Sequence, residues 1–239
     1  MRVRVRFTKL GQIRWIGHRD VARVWERSLR RAELPVARTE GFSPRPKISF
    51  GLALSTGHES LGEYLDIEFL DDDPFAVGEL AALPGRLNVA LPDGMSVTAV
   101  AEVEPRSPSL QEDVVACRWE LIVSGVELSA ATDGVAAALS APSLVVTRTR
   151  KGHDVTDDIR PALVDAQVCG PVDGGVLIVA ELATHPRSLR PGEFLSTVSP
   201  DADEHRVLRT HQWIERDGAR REPLPAEATT APHARARAS

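Results

Sequence analysis

Nine side chains between Arg14 and Lys47 hold the binding chemistry of this sequence. Arg14, Arg19, Arg23, Arg27, Arg30, Arg31, Arg45 and Lys47 are cations, and Phe42 is an aromatic ring set among them. They lie in two blocks and the stretch that joins them. The first block is Arg14-Trp15-Ile16-Gly17-His18-Arg19-Asp20 and the second is Gly41-Phe42-Ser43-Pro44-Arg45-Pro46-Lys47-Ile48-Ser49-Phe50-Gly51. Guanidinium groups grip phosphate through paired hydrogen bonds. A phenyl ring beside them offers a face to an unpaired base. Such a set fits a polyanion or an acidic partner, although a solvated basic helix has the same composition. Phe42 has two readings, a stacking ring or a plug in the core.

His18 is the one candidate for catalysis. An imidazole titrating near neutrality can move a proton at an RNA 2′-hydroxyl, which would make the chain a metal-independent endoribonuclease. The alternative is a structural histidine that caps the helix or anchors the loop against Asp20. His153, Asp154, Asp157 and Asp158 suit a hard divalent cation, or equally a turn with a solvated charge pair. Cys117 and Cys169 are the only cysteines. They are two thiols or one disulfide, and two cannot ligate an iron–sulfur cluster or a four-cysteine zinc. There is no Walker loop, dinucleotide fingerprint, zinc-protease helix or nucleophile elbow. No cofactor and no metal is expected.

Charge is unevenly distributed. The 239 residues carry a net −5, yet residues 1–52 hold 13 basic and 4 acidic side chains. That N-terminal stretch is therefore +9 and the remainder −14. The asymmetry favours directed contact with phosphate or an acidic surface. No apolar run approaches the ~18–20 residues that cross a membrane. The N-terminus alternates Arg with Val and lacks the apolar core of a signal peptide. A cytoplasmic protein is expected.

The elements that position these groups are read from periodicity. Arg2 to Lys9 alternates strictly, with Val3, Val5 and Phe7 inward and Arg2, Arg4 and Arg6 on a cationic outer face. Ile13 to Ile16 continues extended. A helix runs from His18 or Arg19 to about Glu33, with Ala22, Trp25, Leu29 and Ala32 inward beside Val21 and Ser28, and the arginines on the opposite face. Asp20 in its first turn suits the helix dipole. Lys47–Leu54 and Glu63–Phe69 are strands, a helix starts at Asp71-Asp72-Asp73-Pro74 with Pro84 as a break, and Met95–Val103 is a strand. Glu104 to Ser109 reads as a linker. A second unit has strands at Ala116–Ser124, Leu144–Arg150, Gly175–Ala183 and Arg206–Glu215, with helices at Glu127–Leu139 and Pro191–Val198. The fold class expected is α+β: two tandem ferredoxin-like (split βαβ) sandwiches, residues 1–104 and 114–217, with a disordered C-terminal tail, 218–239.

The two blocks, followed by Glu63-Tyr64-Leu65-Asp66, resemble the radical-SAM-linked protein family, a domain of unknown function (DUF2344). The likeness extends through Lys151-Gly152, Asp158-Ile159-Arg160-Pro161 and Leu189-Arg190-Pro191 to about Arg209. Gly17 and Arg19 depart from the family's usual Ser and Leu, which removes a hydroxyl cap and adds a charge. The resemblance implies an accessory role to a separately encoded radical SAM enzyme, with a link to a ribonuclease of the E/G type. This chain has no Cys-x-x-x-Cys-x-x-Cys set to hold the cluster itself. The strand–helix opening is also similar to RNA-binding units of the CRISPR repeat-associated superfamily, as fold-level analogy. The expectation is a non-catalytic accessory protein that binds structured RNA, tRNA or rRNA, through the arginine helix and the Gly/Pro loop. The alternatives are a docking module for the radical SAM enzyme without RNA contact, and the His18 endoribonuclease.

Overall fold

A computed structural model describes residues 1–70, 80–104, 106–150, 152–224 and 228–230. The chain is a mixed α+β protein of mostly antiparallel sheet and short helices. It divides into two units, Met1–Val114 with Ile214–Ser239, and Val115–Trp213. The division differs from the boundaries expected at 104, 114 and 217. The expected linker belongs to the first unit: Arg2 donates to the carbonyls of Glu104 and Ser107, and Ser109 caps a short helix, Leu110–Asp113.

In the first unit β1 (Arg2–Lys9) lies between β3 (Glu59–Glu68) and β4 (Met95–Glu102), antiparallel to both. The short β2 (Ile48–Phe50) pairs with β3, giving the order β4-β1-β3-β2. Alternation puts Val3, Val5 and Phe7 on one face, where they join Leu65 and Ile67 in the core. Helix α1 (His18–Arg31) buries Val21, Trp25, Ser28 and Leu29. Trp25 meets Phe7 edge to face, with ring centroids 5.0 Å apart. Ala22 and Ala32, expected inward, are half-buried, because the seam is centred on Val21, Trp25 and Leu29 at i, i+4 and i+8.

Helix α2 (Leu83–Ala90) carries Pro84, the expected break, in its first turn. Proline's missing N–H costs nothing in a first turn. The expected helix start at Asp71–Pro74 lies outside the described residues. The two helices cap one another: Ser28 and Arg31 donate to the Ala90 carbonyl, and Arg86 donates to those of Ala32 and Glu33.

The arginine face of β1 is covered rather than solvated. Arg4 is buried against Asp66, and its remaining nitrogen donates to the Pro223 carbonyl at 3.0 Å. Arg6 pairs with Glu222 at 3.1 Å. The C-terminal residues reach this face through a hairpin. The last three residues of β10 (Asp203–Arg216) pair with β11 (Ala219–Arg221) across Asp217-Gly218, both at positive φ as a tight Asp-Gly turn requires. Thr229 and Thr230 form β12 and pair with β4. Part of the tail expected to be disordered is therefore strand.

In the second unit the sheet order is β10-β5-β9-β8, from β10, β5 (Val114–Ser124), β9 (Gly175–Ala183) and β8 (Leu163–Val172). Helix α4 (Leu128–Ser140) packs on β8 and against α5 (Pro191–Val198), the Leu110–Asp113 turn being α3. The strand expected at Leu144–Arg150 is displaced from this sheet. It forms β6 (Val145–Arg150), a separate hairpin with β7 (His153–Asp158). β8 takes its place because the Asp173-Gly174 turn returns it directly onto β9. Cys117 is buried and Cys169 exposed, and no disulfide joins them. Among the described residues no helix is long and apolar enough to cross a membrane.

Candidate nucleic-acid interface

Arg19, Arg23, Arg27, Arg30 and Arg31 are all exposed on α1. The first four follow i, i+4, i+8 and i+11, a stripe roughly 16 Å long at 1.5 Å per residue. Arg23 pairs with Asp20 at 2.9 Å, and Arg27 donates to the Arg23 carbonyl at 3.2 Å. Asp20 thus serves Arg23, not His18. Among the described residues Arg19, Arg27, Arg30 and Arg31 make no ion pair.

The second block is a hairpin that leans on α1. Thr39 N–H donates to the Arg45 carbonyl at 2.9 Å, the Thr39 hydroxyl accepts from Arg45 N–H at 3.1 Å, and Lys47 N–H donates to the Ala37 carbonyl at 2.8 Å. Phe42 sits at the tip, wholly exposed. The core reading of Phe42 is excluded by that exposure. Arg45 is exposed on one limb without an ion pair among the described residues. Lys47 is exposed but pairs with Glu68 at 3.2 Å.

One residue absent from the sequence reading completes this surface. Arg38 is exposed, bridges backbone to backbone with Pro46, and lines a shallow groove with Arg30, Glu26 and Leu34. The groove joins the helix stripe to the hairpin. The signal was the placement of Arg38 seven residues before Arg45, across the turn made by Gly41 at φ +117°.

Arg14 stands apart from the stripe. Its guanidinium lies 3.7 Å from the buried Glu59 carboxylate and 5.1 Å from the Trp15 ring centroid. Residues 11–15 form a 3-10 turn instead of the expected extended segment. The buried Lys9 amine, donating to the Arg14 carbonyl at 3.0 Å, and Glu59, accepting Gly11 N–H at 2.6 Å, fix that turn.

His18 is exposed at its rim, and its ring meets Phe50 edge to face at 5.3 Å. The contact ties the first block to the second. His18 also borders a cavity of about 20 Å³ with Lys9, Glu63 and Tyr64. That volume admits roughly one water and no ribose. Among the described residues the imidazole makes no hydrogen bond that would orient it as a base.

The acidic cluster in the second unit is occupied by its own neighbours. Asp157 lies 3.0 Å from Arg148 and 3.1 Å from Arg187. Asp158 accepts the backbone N–H groups of Leu144 and Arg160, which hold its carboxyl below the ordinary value. Among the described residues no three His, Cys, Asp or Glu side chains are grouped to hold a metal ion.

Residues 2–191 match the family described as an uncharacterized protein conserved in bacteria, DUF2344. Comparison with curated proteins gives no match. Among solved structures, a chain of the Cbf5-Nop10-Gar1 complex aligns with a TM-score of 0.45 at 10% identity, over 88% of this chain and 48% of that one. The chain thus spans about half the length of that relative.

Proposed function

The chain belongs to the bacterial DUF2344 family, and we propose that it is a non-catalytic RNA-binding accessory protein of a separately encoded radical SAM enzyme. The observation that carries the RNA reading is the exposed Phe42 at the tip of a hairpin whose limbs present Arg38 and Arg45, with Arg30 at its foot. A bare aromatic ring in water is unfavourable, and beside unpaired guanidinium groups it matches a base with its flanking phosphates. The link to a radical SAM enzyme rests on the resemblance in the two blocks. Reading each unit as a ferredoxin-like sandwich belongs to the proposal too, supported by the parallel orders β4-β1-β3-β2 and β10-β5-β9-β8. The RNA surface would be the helix side of the first unit, because β1's arginines on the opposite face are engaged by Asp66 and Glu222.

Reversing Arg23, Arg27 and Arg30 to Glu tests this. All three are exposed, so the fold persists. RNA binding is expected to be lost, and in the wild type to fall steeply between low and high salt. A folded triple variant with undiminished RNA affinity overturns the proposal. A nuclease-resistant complex with a radical SAM enzyme from a protein with no RNA affinity would leave the docking reading in its place.

A further inference from the structure

We propose that Trp15 is a second stacking platform, so that the RNA bound is single-stranded or bulged rather than a continuous duplex. This rests on the RNA-binding reading and narrows its substrate. The chain has four tryptophans. Trp25 and Trp119 are buried, Trp213 is half-buried, and Trp15 is 58% exposed.

The indole is held in place rather than left mobile. Gly57 N–H donates to the Arg14 carbonyl at 2.8 Å, fixing the loop against the turn that carries Trp15. Gly57 has φ +89°, and a Cβ there would lie 3.1 Å from Cζ3 of the ring. The absence of a side chain at Gly57 therefore lets the ring lie close to the backbone there. Arg14, itself beside Glu59, lies 5.1 Å from the ring centroid and fixes its position by a cation–π contact. Arg19, exposed and without an ion pair among the described residues, follows at the start of α1. A pre-positioned ring loses little freedom on binding.

Trp15 and Phe42 are thus both exposed rings with arginines close by in the chain, Arg14 and Arg19 for the one and Arg38 and Arg45 for the other. A ring can accept the face of a base only when that base has left its stack, whereas a duplex offers edges and backbone. Two rings in one unit therefore select RNA with at least two accessible bases. The selection is tolerant of sequence, because every base has a π face.

The test uses the full chain at low salt, with a fluorescein-labelled 12-nucleotide oligouridylate and a blunt RNA duplex of equal length. The single strand is expected to bind more tightly than the duplex and to quench tryptophan emission. Trp15→Ala weakens single-strand binding about 5- to 150-fold, the range set by stacking one base. Trp15→Phe retains most of the affinity and loses the quenching, which separates stacking from a folding defect. Trp15→Ala binding as wild type while Phe42→Ala is weakened overturns the platform and leaves the RNA reading intact. Equal affinity for duplex and single strand overturns the substrate class. No binding of either RNA by the wild type overturns the RNA reading and this inference with it.

Discussion

Arg4 and Asp66 face each other across the β1–β3 ladder, both buried, with Nε donating to one carboxylate oxygen at 2.8 Å and Nη2 to the other at 3.0 Å. The pair separates two sets of arginines that look alike in sequence. Those of β1 neutralise carboxylates and hold Pro223 and Glu222 against the sheet. Those of α1 and the hairpin are exposed, with only Arg23 paired to a carboxylate, that of Asp20, among the described residues. Net charge alone overstated the cationic surface, because burial decides which charges a ligand meets.

Removing one partner of this pair strands a charge out of water. Asp66→Ala is expected to cost about 3–5 kcal/mol, whereas Arg4→Met with Asp66→Leu recovers most of that loss. Urea midpoints measure both. A cost below about 1 kcal/mol for Asp66→Ala would show that the guanidinium is hydrated and the face open.

Tyr64 is the chain's single tyrosine, so its titration can be read without overlap. Burial raises its phenol above the ordinary value, the Glu222 carboxylate raises it further, and Arg6 opposes. The folded state then keeps a proton that the unfolded chain loses above about pH 10. Stability from this group is complete below that pH and falls as pH rises beyond it. Tyrosinate absorbance should be absent from native protein at pH 11 and appear on unfolding, and Glu222→Gln should bring ionisation to lower pH. Native titration near pH 10 would mean that the phenol is hydrated.

The Asp157 cluster should behave as an ion-pair network and not as a metal site. Arg148 and Arg187 converge on Asp157, and both Arg187 and Arg148 also approach Glu193, at 3.0 and 3.8 Å. Millimolar Mg²⁺ is expected to leave Tm unchanged, and Asp157→Asn to lower stability by about 1 kcal/mol. A Tm that climbs with the logarithm of Mg²⁺ concentration would reveal a bound cation instead.

What the sequence disclosed followed from local periodicity. The alternation of β1 and the Val21–Leu29 seam of α1 were legible because each repeats within one element. The place of β8 was not. Leu163–Val172 has little alternation, and its role depends on the Asp173-Gly174 turn that brings it onto β9. The Asp217-Gly218 hairpin carried a readable signal that the apparent low complexity of the tail obscured. In the candidate interface the arginine stripe was legible. The exposure of Phe42 and Trp15 was not, since an aromatic residue among prolines or isoleucines is compatible with either side of the surface. It follows from backbone hydrogen bonds that residue types do not announce, Thr39 N–H to the Arg45 carbonyl beneath Phe42 and Gly57 N–H to the Arg14 carbonyl beside Trp15.

Close approach can reverse the sign of a substitution that helix propensity would favour. Gly134 lies in the interior of α4, where replacing glycine by alanine ordinarily stabilises by up to about 1 kcal/mol. Here a Cβ would lie 1.9 Å from the Val198 carbonyl oxygen at the end of α5. That oxygen is backbone and cannot rotate away, so the helices must separate. Gly134→Ala should therefore destabilise, by about 1–3 kcal/mol as overpacking does. Gly85, in α2, is the matched control, since a Cβ there meets nothing within 4 Å. Gly85→Ala should be neutral to stabilising. The denaturation midpoint falls for Gly134→Ala and holds or rises for Gly85→Ala if α4 and α5 touch through bare backbone, and a stabilised Gly134→Ala would show that they do not.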